Sequence, residues 1–410
     1  MRTTSIYIHI PFCDQKCDYC SFFVVAGPQS VDREALMDQY VASLLKEIDR
    51  YRERYEGLTI PTLYFGGGTP ALLGYGRLCQ IIDHIVATCD TSSLEELSIE
   101  LNPNPFDEVL DLVQQLGRKY TMMYRLRFSF GIQTLDDELL KLSGRQYFFN
   151  NLRWFLRSLQ KIKQHNMVYN FDMIAFGKEE NLTDPMRVRD EVRWSFFSGW
   201  IASQMADSFS VYTLELQAGS KRHQLSNGGV VHTLPGLKLD DDRIAIEFQR
   251  LTDVILDAGY QRYEVSNFSL PSKQSLHNRV YRNHDLYLGI GASAAGLVKG
   301  HPTDQQSDSG LYRYHNTTSI RNYIQWSWID PVSVEVLSDS DQLTEQFFLK
   351  LRRSSGLHPL SEYVVLLVDD YLERLEDLTE QWLVVYEDDT LRLTHTGMNV
   401  AHTIITLLTK

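Results

Sequence analysis

Along the first half of the chain, short runs rich in β-branched and aromatic residues alternate with longer stretches whose apolar positions recur at helical spacing. The strand-like runs lie near Ser5 to Ile10, Thr62 to Phe65, Leu97 to Leu101, Leu126 to Phe130, Val168 to Ile174 and Phe209 to Leu214. Helical patterns fill the intervals at Val31 to Tyr55, Arg77 to Cys89, Asp107 to Tyr120, Asp136 to Leu142 with Asn150 to His165, and Asp184 to Met205. Alternation of this kind predicts parallel strands with crossover helices, hence an open or closed α/β barrel over residues 1 to about 215. No signature recurs at the periods of repeat architectures.

After Leu216 the alternation breaks, and QAGSKRHQLSNGGVVHTLPG reads as a long loop before a helix at Asp241 to Ala258. A strand near Arg262 to Val265, a glycine-bearing stretch Leu286 to Gly300 and the polar loop HPTDQQSDSG follow. From about Ser340 come two helices, a strand pair around the EDDT turn between Trp382 and Leu393, and a last helix, a winged-helix-like layout. The expected division is a barrel core over 1–235, an extension over 236–335 and a small C-terminal domain over 336–410.

Composition narrows the function classes. With 43% apolar residues, 22 Tyr and 19 Phe in 410 residues, the chain is not disordered. A net charge of −13 repels phosphate backbones and anionic membrane surfaces, so nucleic acid is not expected as a partner. Arg352 and Arg353 are offset by Glu373, Asp377, Asp388 and Asp389, which leave no basic stripe. No run of 18 apolar residues occurs and the first residues lack the order of a secretory signal, so a cytoplasmic protein is expected. Five cysteines are too few for a disulfide scaffold and are expected as thiols.

Three of those cysteines, Cys13, Cys17 and Cys20, share the loop after the first strand with spacing CxxxCxxC. Three thiolates on one short loop suit a single metal centre. A structural zinc asks for a fourth ligand, which Cys79 and Cys89 on a predicted helix do not supply. A four-iron cluster held at three irons would keep one open for a chelating ligand. Three purely structural thiols are the remaining alternative.

Strand ends of a (β/α) barrel face its site, and here nearly every end carries a polar group. Gly66-Gly67-Gly68-Thr69-Pro70 follows the second strand, and its glycines let backbone groups approach a ligand. Glu100 ends the third strand, Gln133 follows the fourth, Arg145 follows the next short helix and Asp172 lies in the fifth. Each alone also reads as a surface or capping residue; their joint placement points to a site.

The cysteine spacing, with an aromatic residue before the third cysteine, resembles the radical S-adenosylmethionine superfamily. That resemblance implies a [4Fe-4S] cluster on Cys13, Cys17 and Cys20, an open iron that chelates S-adenosylmethionine, and reductive cleavage to a 5′-deoxyadenosyl radical. Together IYIHIPFC, YFGGGTP, SIELNP, RFSFGIQT, GRQY and NFDMI resemble the family of oxygen-independent coproporphyrinogen III oxidase and the haem chaperone HemW, from Ser5 to about Tyr212. The implied fold is α/β, a partial (β/α)6 TIM-like radical SAM barrel with a mostly helical, winged-helix-like C-terminal domain. By the same resemblance Tyr7, Gly67, Gly68, Thr69, Glu100, Gln133, Arg145 and Asp172 line the S-adenosylmethionine pocket.

Oxidases of this family carry a further cysteine two positions after the third and a longer N-terminal extension. Here Phe22 stands at that position and twelve residues precede Cys13, which favours the HemW branch. The segment of the extension that resembles the HNxxYW motif, associated with haem binding, reads His277, Asn278, Arg279, Val280, Tyr281, Arg282. His277, Asn278 and Tyr281 become haem-binding candidates, His277 as an axial ligand and Tyr281 packed on the porphyrin. Arg282, in place of tryptophan, either pairs with a haem propionate or spoils an apolar face. Two further departures are Gly177-Lys178-Glu179 for Gly-Leu-Pro and Ser208 for a histidine opening the sixth strand.

The expected function is binding of S-adenosylmethionine and haem, with haem delivered to acceptor haemoproteins such as respiratory cytochromes. An electron donor serves the cluster, and membrane contact comes only through acceptors. The alternative is oxidative decarboxylation of coproporphyrinogen III propionates, against which Phe22 speaks. A nucleic-acid-binding regulator is the third class, disfavoured by charge.

Overall fold

The computed structural model describes residues 3–27, 31–55, 57–177, 184–215, 223–226, 229–234, 237–238, 240–303, 309–326, 328–330 and 333–410. Among these residues, twelve strands form one sheet. Six belong to the strand–helix alternation: β1 (Ser5–Ile10), β2 (Thr62–Gly67), β3 (Glu96–Leu101), β4 (Arg125–Gln133), β5 (Met167–Ala175) and β6 (Ser208–Thr213). The others are β7 (Gln261–Glu264), β8 (Asn267–Ser269), β9 (Tyr287–Ile290), β10 (Ala295–Lys299), β11 (Leu311–His315) and β12 (Glu335–Leu337). Their spatial order is β7-β8-β6-β5-β4-β3-β2-β1-β9-β10-β11-β12. From β9 through β1 to β6 every pairing is parallel, and the strands outside that stretch pair antiparallel.

The crossover helices are α1 (Val31–Arg54), α2 (Gly74–Thr88), α3 (Phe106–Tyr120), α4 (Asp137–Leu142), α5 (Phe149–Ile162) and α6 (Asp184–Ala202). Each of the longer ones among α1 to α5 buries one apolar stripe, as with Val109, Leu112, Val113, Leu116 and Tyr120 of α3. Parallel strands covered by helices are apolar almost throughout, which is why Ile6, Ile8, Leu63, Phe65, Leu97, Ile99 and Phe128 are buried in the main core. Asp136 starts α4 by accepting from the backbone N–H of Glu138 and Leu139.

Beyond the alternation lie α7 (Asp241–Asp257), α8 (Leu276–Asn283) and α9 (Ile320–Ile324). The C-terminal part holds α10 (Asp339–Leu351), α11 (Tyr371–Glu380), a hairpin of Val384–Glu387 with Thr390–Leu393, α12 (His395–Asn399) and α13 (Ala401–Leu408). It has its own core, which includes Phe347, Leu351, Leu375, Leu391, Ile404 and Ile405. Backbone bonds from Val265 N to Arg352 O and from Ser354 N to Tyr263 O, both 3.0 Å, fasten it to β7 and the turn that follows.

Three features differ from the sequence expectation. Within the stretch read as a long loop, His223–Ser226, Gly229–Leu234 and Leu237–Lys238 form a small antiparallel sheet. Asn227-Gly228 separates its first two strands in sequence, a pair whose composition suits a tight hairpin as well as a loop. β9, inside the glycine-bearing stretch, adds a parallel strand beside β1 that four residues did not announce. The segment around His277 is a helix, α8, with Ser275 accepting from Asn278 N at its start; its few apolar residues hid the helical period. Lys178 and Glu179 lie outside the described residues.

The junction of α1 with β1 and β9 is polar. Glu47 is 1% exposed; its Oε1 accepts from Asn316 Nδ2 at 2.8 Å, and its Oε2 from Gly291 N at 2.9 Å and from the Tyr323 hydroxyl. Tyr40 OH donates to His9 O at 2.7 Å and accepts from Ala292 N at 2.9 Å. Burial pushes the Glu47 carboxyl up to about 7, against the pull of these donors. The folded chain therefore keeps a proton that the unfolded chain releases from about pH 4.5, and the stability linked to it falls as pH rises towards 7. Glu47→Ala strands the donors and is expected to cost on the order of 3 kcal/mol near pH 6. Urea midpoints should show a smaller loss at pH 8, where the wild type itself carries the buried charge; a loss that grows with pH would contradict this account.

Candidate functional site

Side chains at every second position of a strand point to one face, and such positions of β4, β5 and β6, with residues of β1, β2 and β3, enclose a cavity of about 520 Å³. β4 contributes Arg127, Ser129, Gly131 and Gln133, β5 Asn170, Asp172 and Ile174, and β6 Ser210 and Tyr212. β1 contributes Tyr7, β2 Tyr64 and Gly67, and β3 Glu100 and Leu101. Cys13, Cys17 and Cys20 line the same space, with Gly68, Thr69, Arg145, Asn278 and Tyr281. Every residue expected at the site is thus brought together except His277.

The cysteine loop is held at both ends. Gly68 N donates to Ile10 O at 2.9 Å and Thr69 N to Phe12 O at 2.8 Å, so the glycine turn of β2 carries the start of the loop. Phe12–Cys13 and Val25–Ala26 then pair in parallel, closing its base. The Cys13 thiol lies 3.5 Å from Thr69 Oγ1. Arg145 donates through Nη2 to Tyr19 OH at 2.8 Å and through Nη1 to Asn102 Oδ1 at 3.1 Å, tying the middle of the loop to the exit of β3. Burial pushes the Cys13 thiol up to about 11 and raises Cys20 as well.

Glycine is required at the turn. Gly67 has φ +101°, and a Cβ there would fall 2.3 Å from the His9 ring. A Cβ at Gly68 would fall 2.7 Å from the carbonyl oxygens of Ile10 and Phe12, which are backbone and cannot yield. Gln133 has φ 68° at an irregularity in the β4–β5 register between Gly131 and Gln133. Such a bulge turns a side chain towards a site, at a backbone cost that the surrounding structure must offset.

Two carboxyls share the cavity. Glu100 accepts from Tyr64 OH at 2.7 Å and from Gly67 N at 3.0 Å, and burial pushes it up to about 7. Asp172 accepts from Ser129 Oγ and Asn170 Nδ2, each at 2.9 Å, and burial raises it too. Glu100 is therefore poised between acceptor and donor near neutral pH.

His277 stands behind the wall. It is 0% exposed, its Nδ1 bonded to Thr62 Oγ1 at 2.7 Å and its Nε2 to Tyr281 OH at 2.9 Å, and its ring stacks on Tyr64 at 4.9 Å. Burial lowers its pKa to about 3, so the ring is neutral. In this arrangement neither nitrogen is open to a haem iron, and the side chain positions Tyr281 and Tyr64. Arg282 Nε donates to Glu264 Oε2 at 2.8 Å. Ser208, fully buried at the start of β6, lies away from the cavity lining.

Sequence reading missed Tyr19, Asn102, Arg127, Ser129, Asn170, Ser210 and Tyr212, all of which line the cavity. The signal was available in RLRFSFGIQ, where polar residues recur at every second position of an otherwise apolar strand. Among the described residues no three His, Cys, Asp or Glu side chains converge for a single metal ion. The donor set fits a cluster in another respect: three thiols line the cavity and, among the described residues, no fourth thiol or imidazole does.

The family model of the radical SAM superfamily matches residues 7–192, which contain all three cysteines, most of β1 and all of β2 to β5. A protein named heme chaperone HemW from Synechocystis is 28% identical over 87% of this chain and 80% of its own. One of the same name from Lactococcus lactis is 27% identical over 98% of this chain and 96% of its own. Among solved structures, coproporphyrinogen III oxidase (HemN) from Escherichia coli, described as a radical SAM enzyme, superposes with a TM-score of 0.69 at 19% identity, covering 99% of this chain and 90% of that one. That likeness concerns the fold.

Gly68→Ala is expected to dislodge the base of the cysteine loop, so that anaerobically reconstituted protein holds well under half the wild-type iron and acid-labile sulfide. Gly76→Ala in α2, where a Cβ meets nothing within 4 Å, serves as control and should retain both. Equal iron content in the two variants would show that the turn does not carry the loop.

Proposed function

We propose that this chain, a member of the radical SAM superfamily, is a haem chaperone of the HemW kind that binds S-adenosylmethionine and haem and passes haem to acceptor haemoproteins. What carries the proposal is the length of the likeness to proteins of that name: it runs through the barrel, α8 and the C-terminal part alike. The thiols of Cys13, Cys17 and Cys20 would hold a [4Fe-4S] cluster, which when bound supplies an electron to S-adenosylmethionine. Among the described residues no helix is long and apolar enough to cross a membrane. A cytoplasmic protein that meets respiratory cytochromes as acceptors, with a separate electron donor, is the form in which we expect it to work.

The chain's own residues have distinct tasks in this scheme. Tyr7, Gly67, Gly68, Thr69, Gln133 and Arg145 shape the pocket for S-adenosylmethionine, with Arg145 also steadying the cysteine loop through Tyr19. Glu100, with one oxygen engaged by Tyr64 and the other by Gly67 N, offers a carboxylate for an ammonium or for ribose hydroxyls. Asp172 offers a second acceptor across the cavity. Asn278 and Tyr281 are the haem candidates that reach the cavity, and His277 orients the latter.

Phe22, 60% exposed at the cavity edge, occupies the position where the oxidases of the family place a cysteine. No protoporphyrinogen is therefore expected from coproporphyrinogen III under anaerobic, reducing conditions. Detectable turnover would replace the chaperone function with the oxidase.

Anaerobic reconstitution followed by haem titration is the direct test. The parent should hold iron and sulfide and bind haem, and joint replacement of Cys13, Cys17 and Cys20 by alanine should abolish the cluster; a parent that binds no haem would end the proposal. His277→Ala should leave the Soret position of bound haem unchanged, because the ring reaches only protein partners. Affinity for S-adenosylmethionine should rise between pH 6 and pH 8 as Glu100 ionises through about 7, and Glu100→Gln should reduce that rise. Equilibrium dialysis reads both, and an unchanged pH profile in the variant would remove Glu100 from the ligand-binding set.

A further inference from the structure

One face of α8 lines the cavity. Ser275, Asn278 and Tyr281 line the cavity, and Arg282, four residues after Asn278, falls on the same face of the helix. Glu264, buried, accepts from Arg282 Nε at 2.8 Å, so the guanidinium is anchored by one edge and its two Nη groups have no hydrogen-bond partner among the described residues. Arg352 is brought close by, because its O accepts from Val265 N, the residue after Glu264, at 3.0 Å. The Arg352 side chain makes no hydrogen bond or ion pair among the described residues. Burial, and then the nearby Arg282 charge, push it below its ordinary pKa. Glu264 and Glu215 are the carboxylates that offset this charge at Arg352, and Arg279 and Asp285 lie near the adjoining Arg353. Glu264 also accepts from Asn267 Nδ2, and Asn267 pairs with Ser210 of β6, which lines the cavity, so Glu264 and the arginine it holds lie beside the cavity on the β6 side.

A cavity of about 520 Å³ suits one ligand of ordinary cofactor size, and S-adenosylmethionine is such a ligand. A tetrapyrrole bound at the same time has to lie across the opening, with its acidic arms directed to the rim. Exposed Phe22 supplies an apolar surface there.

We infer that Arg282 and Arg352 form a carboxylate-binding rim that holds a propionate of a tetrapyrrole seated over the cavity mouth, an assignment that rests on the proposed haem-chaperone function. The unpartnered Nη groups of Arg282 offer the parallel donors that a carboxylate accepts in fork geometry, and Arg352 adds a second cation. Glu264 holds the first fork in place before the ligand arrives.

The test uses the full, cluster-reconstituted chain under anaerobic conditions, titrated with haem and with haem dimethyl ester, whose propionates are masked. The wild type should bind the ester about tenfold more weakly than haem. Arg352→Ala should weaken haem binding by a similar factor and leave ester binding unchanged. Arg282→Lys, which keeps charge but loses the fork, should weaken haem and spare the ester, while preserving a cation beside Glu264 so that folding is maintained. Equal affinities for haem and ester in the wild type, with haem affinity unaltered in Arg352→Ala, would overturn the rim while leaving the haem function standing. Failure of the wild type to bind either ligand would overturn the haem function, and the rim with it.

Discussion

Two backbone hydrogen bonds, from Gly68 N to Ile10 O and from Thr69 N to Phe12 O, hold the site together. They join the end of β1 to the end of β2 at the point where the parallel ladder stops and the cysteine loop begins. Such bonds form only where no side chain stands between the two backbones, so residue 68 has to be glycine. The position of Cys13 beside Thr69 follows from the same contact.

Around that anchor the molecule tolerates an unusual amount of buried polarity. Glu47, Glu100 and Asp172 are each surrounded by donors yet remain raised by burial, which favours their neutral form. Glu47 serves packing, because its donors come from the residues that follow β9 and β11 and from α9. Glu100 and Asp172 face the cavity, and their donors leave lone pairs for a ligand.

The alternation of strand and helix was legible because parallel strands covered by helices are apolar on both faces while the helices carry a single stripe. The cavity's contributors at strand ends were legible for the same reason, since chemistry in this architecture collects there. What escaped was set by contacts distant in sequence. α8 is polar along its length, and its start is held by Glu96, which accepts from Leu276 N at 3.0 Å, a partner no local pattern reveals. His277 looked like a ligand in sequence and proves to be a packing element, because Thr62 from β2 and Tyr281 one turn on take both its nitrogens. Arg127 and Asn170 carried a period-two signal that was overshadowed by the apolar residues between them.

β1 has its neighbours at opposite extremes of the chain: β2 begins at Thr62, whereas β9 begins at Tyr287. During synthesis the first partner is available early, but the second emerges only after most of the polypeptide has been made. Until then the open edge of β1 and the thiols beyond it lack their final support. A nascent chain stalled before β9 would therefore present its cysteines on an unfinished scaffold.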